Sequence, residues 1–412
     1  MRICHVAPEL LPVPPTKGGA IERWIRDAAV RLARRGHEVH VVSRDAGDGA
    51  PDQTLDGVHY HYLHIPGVLD RGMMAAMFRG LYYYTRARRV LARLAPDIVH
   101  HHSRPAGLWL SATSGLTARQ VISLHSMDYG WGFGHRAWDR PWFARGLAVA
   151  SRVLCVSHFI ERHVAERYPG IRTTTLYNGV DGETFSPGVG SWETADGRRE
   201  TGAGRRESED PGPRPHAPTI LYVGRVEARK GVKVLVDAFE QVISPRLPEA
   251  RLRIVGPHSY WDAQPSGYYR QIADRCATND RIELRGPTYV DADLADVYRS
   301  AEVTVVPSTF PEALGLTSIE AQASGTPVVV SDAGGLPETV TPGESGLVFE
   351  SGNVVQLATA VLDILGSEPR RQAMSRGARA WAMARFSWDV IATELETVYR
   401  EALAAPAPGA AR

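Results

Sequence analysis

The feature that most constrains the fold is an alternation of apolar strands with amphipathic helices, which occurs twice along the chain. In the first half, short runs rich in valine and isoleucine are predicted strands, near Arg2–Ala7, Glu38–Ser43, Val58–Leu63, Ile98–His102, Val121–Leu124 and Val153–Ser157. After the first run, Ile21–Arg35 carries one apolar stripe at helical spacing. Because parallel strands need long, usually helical, crossovers, this pattern predicts an α/β fold with a doubly wound parallel sheet.

A polar stretch divides the chain. Residues 188–218 are rich in Gly, Pro and charge and contain almost no apolar side chains, which is the composition of a disordered linker. Beyond it the alternation restarts, with predicted strands at Thr219–Val223, Arg251–Val255, Arg281–Arg285, Val303–Pro307 and Pro327–Ser331. From Asn353 the chain is predicted to be helical, with a break near Trp388. We therefore expect two Rossmann-like domains, 1–187 and 219–387, and a terminal helix at 388–405.

The cysteines and the hydropathy pattern indicate a cytoplasmic protein. Cys4, Cys155 and Cys276 are far apart and form no C-x-x-C pair, so neither a disulfide framework nor a zinc site is indicated. No apolar run reaches the roughly 18 residues of a membrane span. The chain opens directly on a strand, so no signal peptide is predicted. We expect a cytoplasmic location, with peripheral contact at the inner membrane face as an alternative.

The net charge of +1 hides an asymmetry. Residues 1–180 hold 23 Lys and Arg against 14 Asp and Glu. This basic half could face an anionic membrane, nucleic acid or an acidic acceptor, or it could have no partner at all. No nucleic-acid motif accompanies the charge, so we expect no nucleic-acid partner. The segment Arg79–Arg93 mixes tyrosines with arginines, and it could lie on a membrane surface. The other interpretation is a domain helix whose inward side chains are Leu81, Ala87, Val90, Leu91 and Leu94.

One segment of the second half has the features of an anion site. The apolar run Val303–Pro307 is predicted as a strand buried on both faces. Pro311 and Gly315 force a turn, and Leu316–Ala323 is predicted as a short helix behind it. At such a helix N-terminus the free backbone N–H groups and the helix dipole both favour negative charge. The segment therefore predicts a site for a phosphate or a similar anion.

Two glutamates, Glu312 and Glu320, frame this turn. If the whole segment were helical, eight residues would separate them by ~12 Å, whereas the paired carboxylates of glycosidases are roughly 5–9.5 Å apart. The two glutamates are therefore predicted to contact two parts of one long ligand rather than to form an acid–base pair. A sugar joined to a nucleoside diphosphate has that length, with hydroxyls at both ends and charge in the middle.

Together these residues resemble the E-x7-E signature of the retaining glycosyltransferases of family four, which have the GT-B fold of two Rossmann-like domains facing across a cleft. The flanking sequence is most similar to the spore-coat and aminoglycoside-pathway members. The resemblance implies that Glu312 contacts hydroxyls of the donor sugar and that Glu320 contacts the ribose, while the backbone between them holds the diphosphate. It also implies that the terminal helix crosses back to the first domain. The implied donor-binding residues of this segment are Glu312, Ala313, Leu314, Gly315, Leu316, Thr317 and Glu320.

A second donor segment follows the strand Thr219–Val223. Gly224 and Arg225 end that strand, and Lys230 precedes the next helix, so both cations are expected at the carboxyl edge of the second sheet, where α/β proteins usually bind ligands. Arg can clamp a phosphate bidentately, and Lys acts as a point charge. The pattern resembles the diphosphate-binding pair of the family, which implies that role for both.

Two features of the first half are assigned mainly through the resemblance. Gly18 and Gly19 follow the first strand, where glycine permits close backbone approach, and the resemblance implies that this loop approaches the donor phosphate or the acceptor. His125 ends the strand Val121–Leu124, and in the family a histidine at this point contacts the donor sugar near its reacting carbon. The turn Asn178–Asp181 resembles a family turn that closes the first domain.

No metal site is predicted. Asp291 and Asp293 match the D-x-D motif of another glycosyltransferase fold. They precede a predicted helix, however, and are interpreted as residues that cap its N-terminus. His59 and His61 share one strand face without an evident carboxylate or cysteine companion. For His100–His102, at a strand end, an acceptor contact is one interpretation. We therefore expect no separate cofactor. A nucleotide sugar is expected to act as co-substrate, with UDP as the first candidate for the nucleotide.

The sequence thus predicts a retaining, metal-independent hexosyltransferase. It would move a hexosyl or N-acetylhexosaminyl group from a UDP-sugar to a hydroxyl of a small polar natural product or a cell-surface glycan precursor. UDP-GlcNAc and UDP-glucose are the first candidates for the donor. The predicted catalytic residues are His125, Arg225, Lys230 and Glu312. The alternatives are a non-catalytic nucleotide-sugar-binding or scaffold protein of the same fold and a GT-B sugar-nucleotide epimerase.

Overall fold

The computed structural model describes residues 1–15, 19–46, 51–70, 73–112, 116–126, 139–188, 217–259 and 264–405. The chain divides into two compact units. The first comprises Met1–Gly179 together with the segment that begins at Trp388, and the second comprises Val180–Ser387. Each unit has its own sheet, and both sheets are of the predicted doubly wound type.

The sheet of the first unit has eight strands in the part of the chain described. They are β1 (Arg2–Val6), β2 (Glu38–Arg44), β3 (Gln53–Leu55), β4 (Val58–Leu63), β5 (Ile98–His102), β6 (Arg119–Leu124), β7 (Arg152–Cys155) and β8 (Thr173–Thr175). Their spatial order is β3-β4-β2-β1-β5-β6-β7-β8, and β3 with β4 is an antiparallel pair in an otherwise parallel sheet. The sequence pattern missed β3 and β8, because both are short, polar and not buried.

Helices cover the first sheet. They are α1 (Ala20–Arg34), α2 (Met73–Leu94), α3 (Pro105–Ala112), α4 (Asp139–Val149) and α5 (His158–Arg167). The predicted apolar stripe of α1 is buried, with Ile25 and Leu32 fully inaccessible. In α2 the buried face is formed by Tyr83, Tyr84, Ala87, Val90 and Leu91. The predicted inward position of Leu81 is wrong, since this side chain is 47% exposed. Two residues along a helix correspond to about 200° of rotation, which turns Leu81 away from Tyr83.

The sheet of the second unit has six strands in the described residues. They are β9 (Thr219–Val223), β10 (Arg251–Val255), β11 (Ile282–Arg285), β12 (Val303–Val306), β13 (Val328–Ser331) and β14 (Gly346–Phe349). All neighbours are parallel, in the order β11-β10-β9-β12-β13-β14. The direction of winding reverses between β9 and β12. In open parallel sheets this switch point opens a crevice at the carboxyl ends of the strands.

The helices of the second unit enclose a core of aliphatic side chains. They are α6 (Val232–Ala238, continued by a π turn at Phe239–Ile243), α7 (Gly267–Ala277), α8 (Asp291–Arg299), α9 (Leu316–Ala323), α10 (Val354–Leu365) and α11 (Glu368–Phe386). The predicted N-capping by the D-x-D pair is wrong, because Val290 is the N-cap and Asp291 and Asp293 lie in the first turn of α8. Carboxylates there are favoured by the helix dipole instead.

The division between the units falls at Val180 rather than at residue 187. Val180 N–H donates to Phe386 O at 2.7 Å, and Arg379 Nη1 donates to Phe185 O at 2.7 Å, so Val180–Ser186 packs within the second unit. Of the predicted linker, residues 189–216 lie outside the described residues.

The terminal helix α12 (Trp388–Ala404) belongs to the first unit. Arg35 Nη2 donates to Asp389 O at 2.9 Å, and His37 Nε2 lies 2.7 Å from Glu396 Oε1. Among the helices described, none is long and apolar enough to cross a lipid bilayer. Cys4, Cys155 and Cys276 are all free and buried.

The packing of α4 on α3 depends on Gly146. A Cβ atom at this position would lie 2.0 Å from Pro105 O, so Gly146→Ala requires the backbone to shift. We expect this substitution to lower the free energy of unfolding by roughly 1–3 kcal/mol, the usual range for overpacking. Gly80→Ala on α2 is the matched control, because nothing lies within 4 Å of its added methyl. It should raise stability by up to about 1 kcal/mol through helix propensity. Urea unfolding compares the two, and a Gly146→Ala protein as stable as the parent would contradict the packing.

Candidate functional site

Two loops meet at the switch point of the second sheet, one after β9 and one after β12. The Tyr222 hydroxyl donates to Arg225 O at 2.7 Å, which fixes the first loop as it leaves its strand. Thr309 N–H donates to Arg229 O at 2.9 Å and joins the two loops. The segment with Gly224, Arg225 and Lys230 and the segment with Glu312 therefore share one edge of the sheet, as the sequence predicts.

Gly231 makes this close approach of the loops possible. It has a φ of 70° and is the N-cap of α6, and a Cβ atom there would stand 1.8 Å from Pro307 O. Only glycine fits a left-handed position so close to another backbone. The consequence is that Lys230, one residue earlier, is brought beside Glu312.

The centre of the site is the Glu312 carboxylate. Its Oε1 accepts hydrogen bonds from Lys230 Nζ and from Ser308 Oγ, both at 2.6 Å. Burial acts to raise the pKa of Glu312, but the Lys230 charge and these two hydrogen bonds outweigh it, so the pKa lies below its usual range. The group is therefore a carboxylate at neutral pH. Its Oε2 has no hydrogen bond within the described part of the chain.

The backbone of Glu312 is also fixed. Its N–H donates to Ala333 O at 3.3 Å, and its carbonyl accepts from Gly335 N–H at 2.8 Å. Between these two lies Gly334, with a φ of 69°, where a Cβ atom would come within 2.4 Å of Glu312 O. The carboxylate is thus presented from a rigid loop rather than from a mobile one.

The helix α9 begins directly behind this loop. Gly315 is its N-cap with a φ of 113°, and no side chain in the described chain caps it. Leu314 is buried, and the Thr317 hydroxyl donates to Val223 O at 3.4 Å, which ties the first turn of α9 to the end of β9. The uncapped N-terminus therefore points its N–H groups to the same edge of the sheet as Lys230, and it favours an anion there.

Arg225 and Glu320 flank this centre. Arg225 Nη2 lies 3.1 Å from Glu227 Oε1, with a quarter of its side chain exposed. Glu320 is buried in α9, and its Oε2 accepts from the Tyr298 hydroxyl at 2.9 Å. The sequence predicted neither Glu227 nor Tyr298, because acidic or aromatic residues at these spacings are common in helices and loops.

In the first unit, Gly19 is the N-cap of α1, while Gly18 lies outside the described residues. The φ of Gly19 is 107°, and a Cβ there would stand 2.5 Å from Glu22 Oε2. Glu22 is itself buried, and this burial raises its pKa to about 7. The carboxyl group was not predicted, since a glutamate in the first turn of a helix is usually an exposed one.

His125 belongs to a layer of histidines on one face of the first sheet. The strand register places His5 opposite His100 and His102 opposite Ser123, and the alternation of side chains puts all of them on the same face. His125 Nε2 lies 3.0 Å from His102 Nδ1. His100–His102 are all buried, so these side chains are not displayed at the surface for an acceptor.

Burial keeps these rings neutral. It lowers the pKa of His5 to about 3 and that of His125 to about 3, the latter opposed by a hydrogen bond with Asn178. For His100 and His102 it lowers the pKa well below the usual range, helped by the neighbouring histidines. The layer is therefore uncharged near pH 7.

Three rings of this layer are close enough to be considered as metal ligands. Nitrogen atoms of His5, His100 and His102 lie within 4.8 Å of one another. However, both nitrogens of His100 are engaged, by the Tyr399 hydroxyl at 2.7 Å and by Ser123 Oγ at 2.8 Å. A metal ion could take His100 as a ligand only by displacing one of these two hydrogen bonds. The cluster does not fit a metal ion.

The histidine layer should make stability depend on pH. Below pH ~6.5 the unfolded chain binds protons on these rings, while the folded rings of His5 and His125, with a pKa of about 3, do not. Stability is therefore complete above pH ~6.5 and falls as the pH drops toward 3. We expect each buried ring to cost about 1.4 kcal/mol of unfolding free energy between pH 7.5 and 5.5, measured by urea unfolding.

His5→Leu tests this pH dependence. The variant should lose about 1.4 kcal/mol less than the parent over the same pH range, because one titrating ring is gone. His158→Gln serves as control, since His158 is exposed and outside the layer. Equal pH slopes for His5→Leu and the parent would contradict a buried neutral ring.

Comparison with known proteins agrees with this geometry. The family model described as "Glycosyltransferase Family 4" matches residues 18–184. The family model described as "Glycosyl transferases group 1" matches residues 205–381. Spore coat protein SA of Bacillus subtilis (strain 168) is 27% identical over 97% of this chain and 100% of its own length. The D-inositol 3-phosphate glycosyltransferase of Thermobispora bispora is 30% identical over 97% of this chain and 93% of its own.

The fold is also similar to that of solved glycosyltransferase structures. The solved structure of Anabaena HepE superimposes with a TM-score of 0.71 at 17% identity, covering 97% of this chain and 100% of HepE. The spore-coat relative confirms the resemblance inferred from the E-x7-E segment. Taken with the matches over both units, these findings show that the chain belongs to glycosyltransferase family 4 and has the GT-B fold.

Proposed function

We propose that this glycosyltransferase moves a hexosyl or N-acetylhexosaminyl group from a UDP-sugar to a hydroxyl of an acceptor, with retention and without a metal ion. The observation that carries the proposal is the Glu312 carboxylate. Its Oε1 is shared by Lys230 and Ser308, and its Oε2 has no hydrogen bond in the described residues. A fixed carboxylate with one open oxygen, next to a cation and a helix N-terminus, suits a sugar attached to a phosphate.

The diphosphate of the donor would bind to Arg225, Lys230 and the first amides of α9. Lys230 Nζ has three donors and directs one of them to Glu312, which leaves donors for a phosphate oxygen. Arg225 can exchange its contact with Glu227 for a bidentate phosphate contact. The backbone of Gly224 and of Ala313–Thr317 lies at the same edge, where close approach is possible.

The sugar of the donor would be recognised by Glu312 Oε2. A carboxylate oxygen accepts from two hydroxyl groups, so it can select a sugar by the positions of its hydroxyls. Glu320 would contact the ribose, with the Tyr298 hydroxyl fixing its orientation. UDP is supported by the family resemblance and by HepE, whose structure was solved with UDP-glucose.

The reaction would depend on stabilising the leaving diphosphate. As the bond between the anomeric carbon and the phosphate oxygen breaks, negative charge develops on that oxygen, facing Arg225, Lys230 and the α9 amides. Donors that are fixed before the reaction stabilise such charge without reorganisation. The leaving phosphate would accept the acceptor's proton on the same face of the sugar, which accounts for retention without a protein nucleophile.

The first unit would contribute His125, and the loop with Gly18 and Gly19. We assign His125 to the donor sugar near its reacting carbon and the glycine loop to the donor phosphate or the acceptor. The acceptor would be a small polar natural product or a cell-surface glycan precursor. In support, the T. bispora relative is named for D-inositol 3-phosphate, a small polyol that carries a phosphate group.

Two other functions would use the same nucleotide-binding residues. A non-catalytic binding protein would hold the nucleotide sugar without cleaving it, and an epimerase would need acid–base groups at the anomeric carbon. The experiment is to incubate the protein with UDP-glucose or UDP-GlcNAc and a panel of acceptors, namely glucose, GlcNAc, myo-inositol and inositol phosphate. Release of UDP with a new α-glycoside, identified by NMR, supports the proposal, whereas epimerised donor or bound, uncleaved donor would support the alternatives.

Arg225→Ala tests the role of the diphosphate clamp. We expect turnover, measured as UDP release, to fall by about 10²- to 10³-fold, the usual effect of removing one charge-stabilising donor. Arg251→Ala is the matched control, because Arg251 is an exposed arginine at the amino end of β10, the opposite edge of the sheet. A folded Arg225→Ala protein with the turnover of the control would show that Arg225 does not bind the leaving group.

A further inference from the structure

Three histidines of the first unit form a linear hydrogen-bonded chain. His5 Nδ1 lies 3.1 Å from His102 Nε2, and His102 Nδ1 lies 3.0 Å from His125 Nε2. His5 and His102 are buried, and His125 is the partly exposed end. The Trp24 ring packs against both His102 and His125, with centroids 5.2 Å away in each case. The chain therefore runs from the interior of the sheet to the residue assigned to the substrate.

The chain allows only two arrangements of protons when its rings are neutral. A neutral imidazole carries one N–H, and each nitrogen–nitrogen contact needs one proton between its two atoms. In the first arrangement, His5 donates to His102 and His102 donates to His125, so the proton of His125 is on Nδ1. In the second, donation runs the other way, and the proton of His125 is on Nε2.

The inner end of the chain separates the two arrangements. His5 Nε2 is buried and has no hydrogen-bond partner in the described residues. The second arrangement would place an N–H there with nothing to accept it, whereas the first leaves only an unused lone pair. Buried donors without partners are rarer than under-used acceptors and cost more. The first arrangement is therefore favoured.

At the outer end, His125 Nε2 is occupied by His102 Nδ1, so only His125 Nδ1 is left to meet another partner. In the first arrangement this nitrogen carries the proton, and His125 presents an N–H. His100 stays out of the chain, because Tyr399 and Ser123 occupy both of its nitrogens.

We propose that His5 and His102 are positioning residues that hold His125 in its Nδ1–H tautomer, so that His125 meets the substrate as a hydrogen-bond donor and not as a base. The acceptor of this hydrogen bond would be an oxygen of the donor sugar or of its phosphate. For its effect on turnover the inference rests on the proposed function, but the tautomer is a property of the protein alone. A neutral donor also leaves the acceptor's proton to the leaving phosphate.

The tautomer can be measured directly in the full chain. Long-range ¹H–¹⁵N correlation spectra of protein labelled with ¹⁵N-histidine distinguish Nδ1–H from Nε2–H rings, and His125→Gln assigns the His125 signals by their absence. We expect a single neutral His125 tautomer with the proton on Nδ1, unchanged between pH 7.5 and 6.0. A proton on Nε2, or a ring that titrates in this range, would overturn the inference.

His102→Phe tests the positioning role. The variant removes the donor to His125 Nε2, so the His125 signals should show a second tautomer. UDP release should slow about five- to tenfold, which is the rate effect of losing one hydrogen bond. UDP affinity should change little, because the residues assigned to the diphosphate clamp and the ribose, Arg225, Lys230 and Glu320, lie in the second unit. His101→Phe is the matched control, since His101 is buried on the same strand but faces Ser111 on the other side of the sheet.

The outcomes for the two proposals are separable. If His102→Phe keeps the parent tautomer and the parent rate of UDP release, His102 does not position His125. If the parent itself neither binds UDP nor releases it from UDP-sugars, the proposed function fails, and the spectrum of the parent still decides the tautomer. Should His102→Phe fail to fold, that same spectrum provides the test.

Discussion

The ion pair between Lys230 and Glu312 is the interaction on which the site of the second unit depends. A charge at a half-buried position is costly unless an opposite charge and hydrogen bonds compensate it. Lys230 and Ser308 provide that compensation on Oε1 of Glu312, and Oε2 has no hydrogen bond within the described part of the chain. The pair exists because Gly231 and Gly334 let three backbone segments approach more closely than any side chain permits. The charges of the site are thus a consequence of backbone packing at the switch point of the sheet.

The two units use the same kind of sheet for different electrostatics. In the second unit, charged groups gather at the carboxyl ends of β9 and β12, where a charged diphosphate would bind. In the first unit, the corresponding face at β1, β5 and β6 carries neutral histidines that are buried under Trp24 and α12. Burial removes their charge, so the layer can orient a hydrogen bond but cannot attract an anion.

Much of the fold followed from the sequence because buried parallel strands need continuous apolar runs, and β1, β9 and β12 have them. The strands that were missed, β3, β8 and β14, lie at sheet edges and are only partly buried or exposed. The segment after β12 was recognisable because its turn, its helix start and its glutamates are adjacent in the chain. Contacts between distant residues gave no such signal: Tyr298 reaches Glu320 across 22 positions, and His5 reaches His102 across 97. Such pairs become apparent only when the strand order is known.

We propose that the edge of the second sheet at β9 and β12 binds a nucleoside diphosphate sugar. The most direct measurement is a thermal-shift panel of the full chain with UDP, GDP, ADP and their common sugar conjugates. A ligand at a hundred times its dissociation constant should add ~2.7 kcal/mol to stability, which is a shift of several degrees for units of this size. We expect UDP and UDP-sugars to raise the melting temperature and the other nucleotides to have little effect. No shift with any nucleotide would contradict the assignment of Lys230, Glu312 and α9 to a donor site.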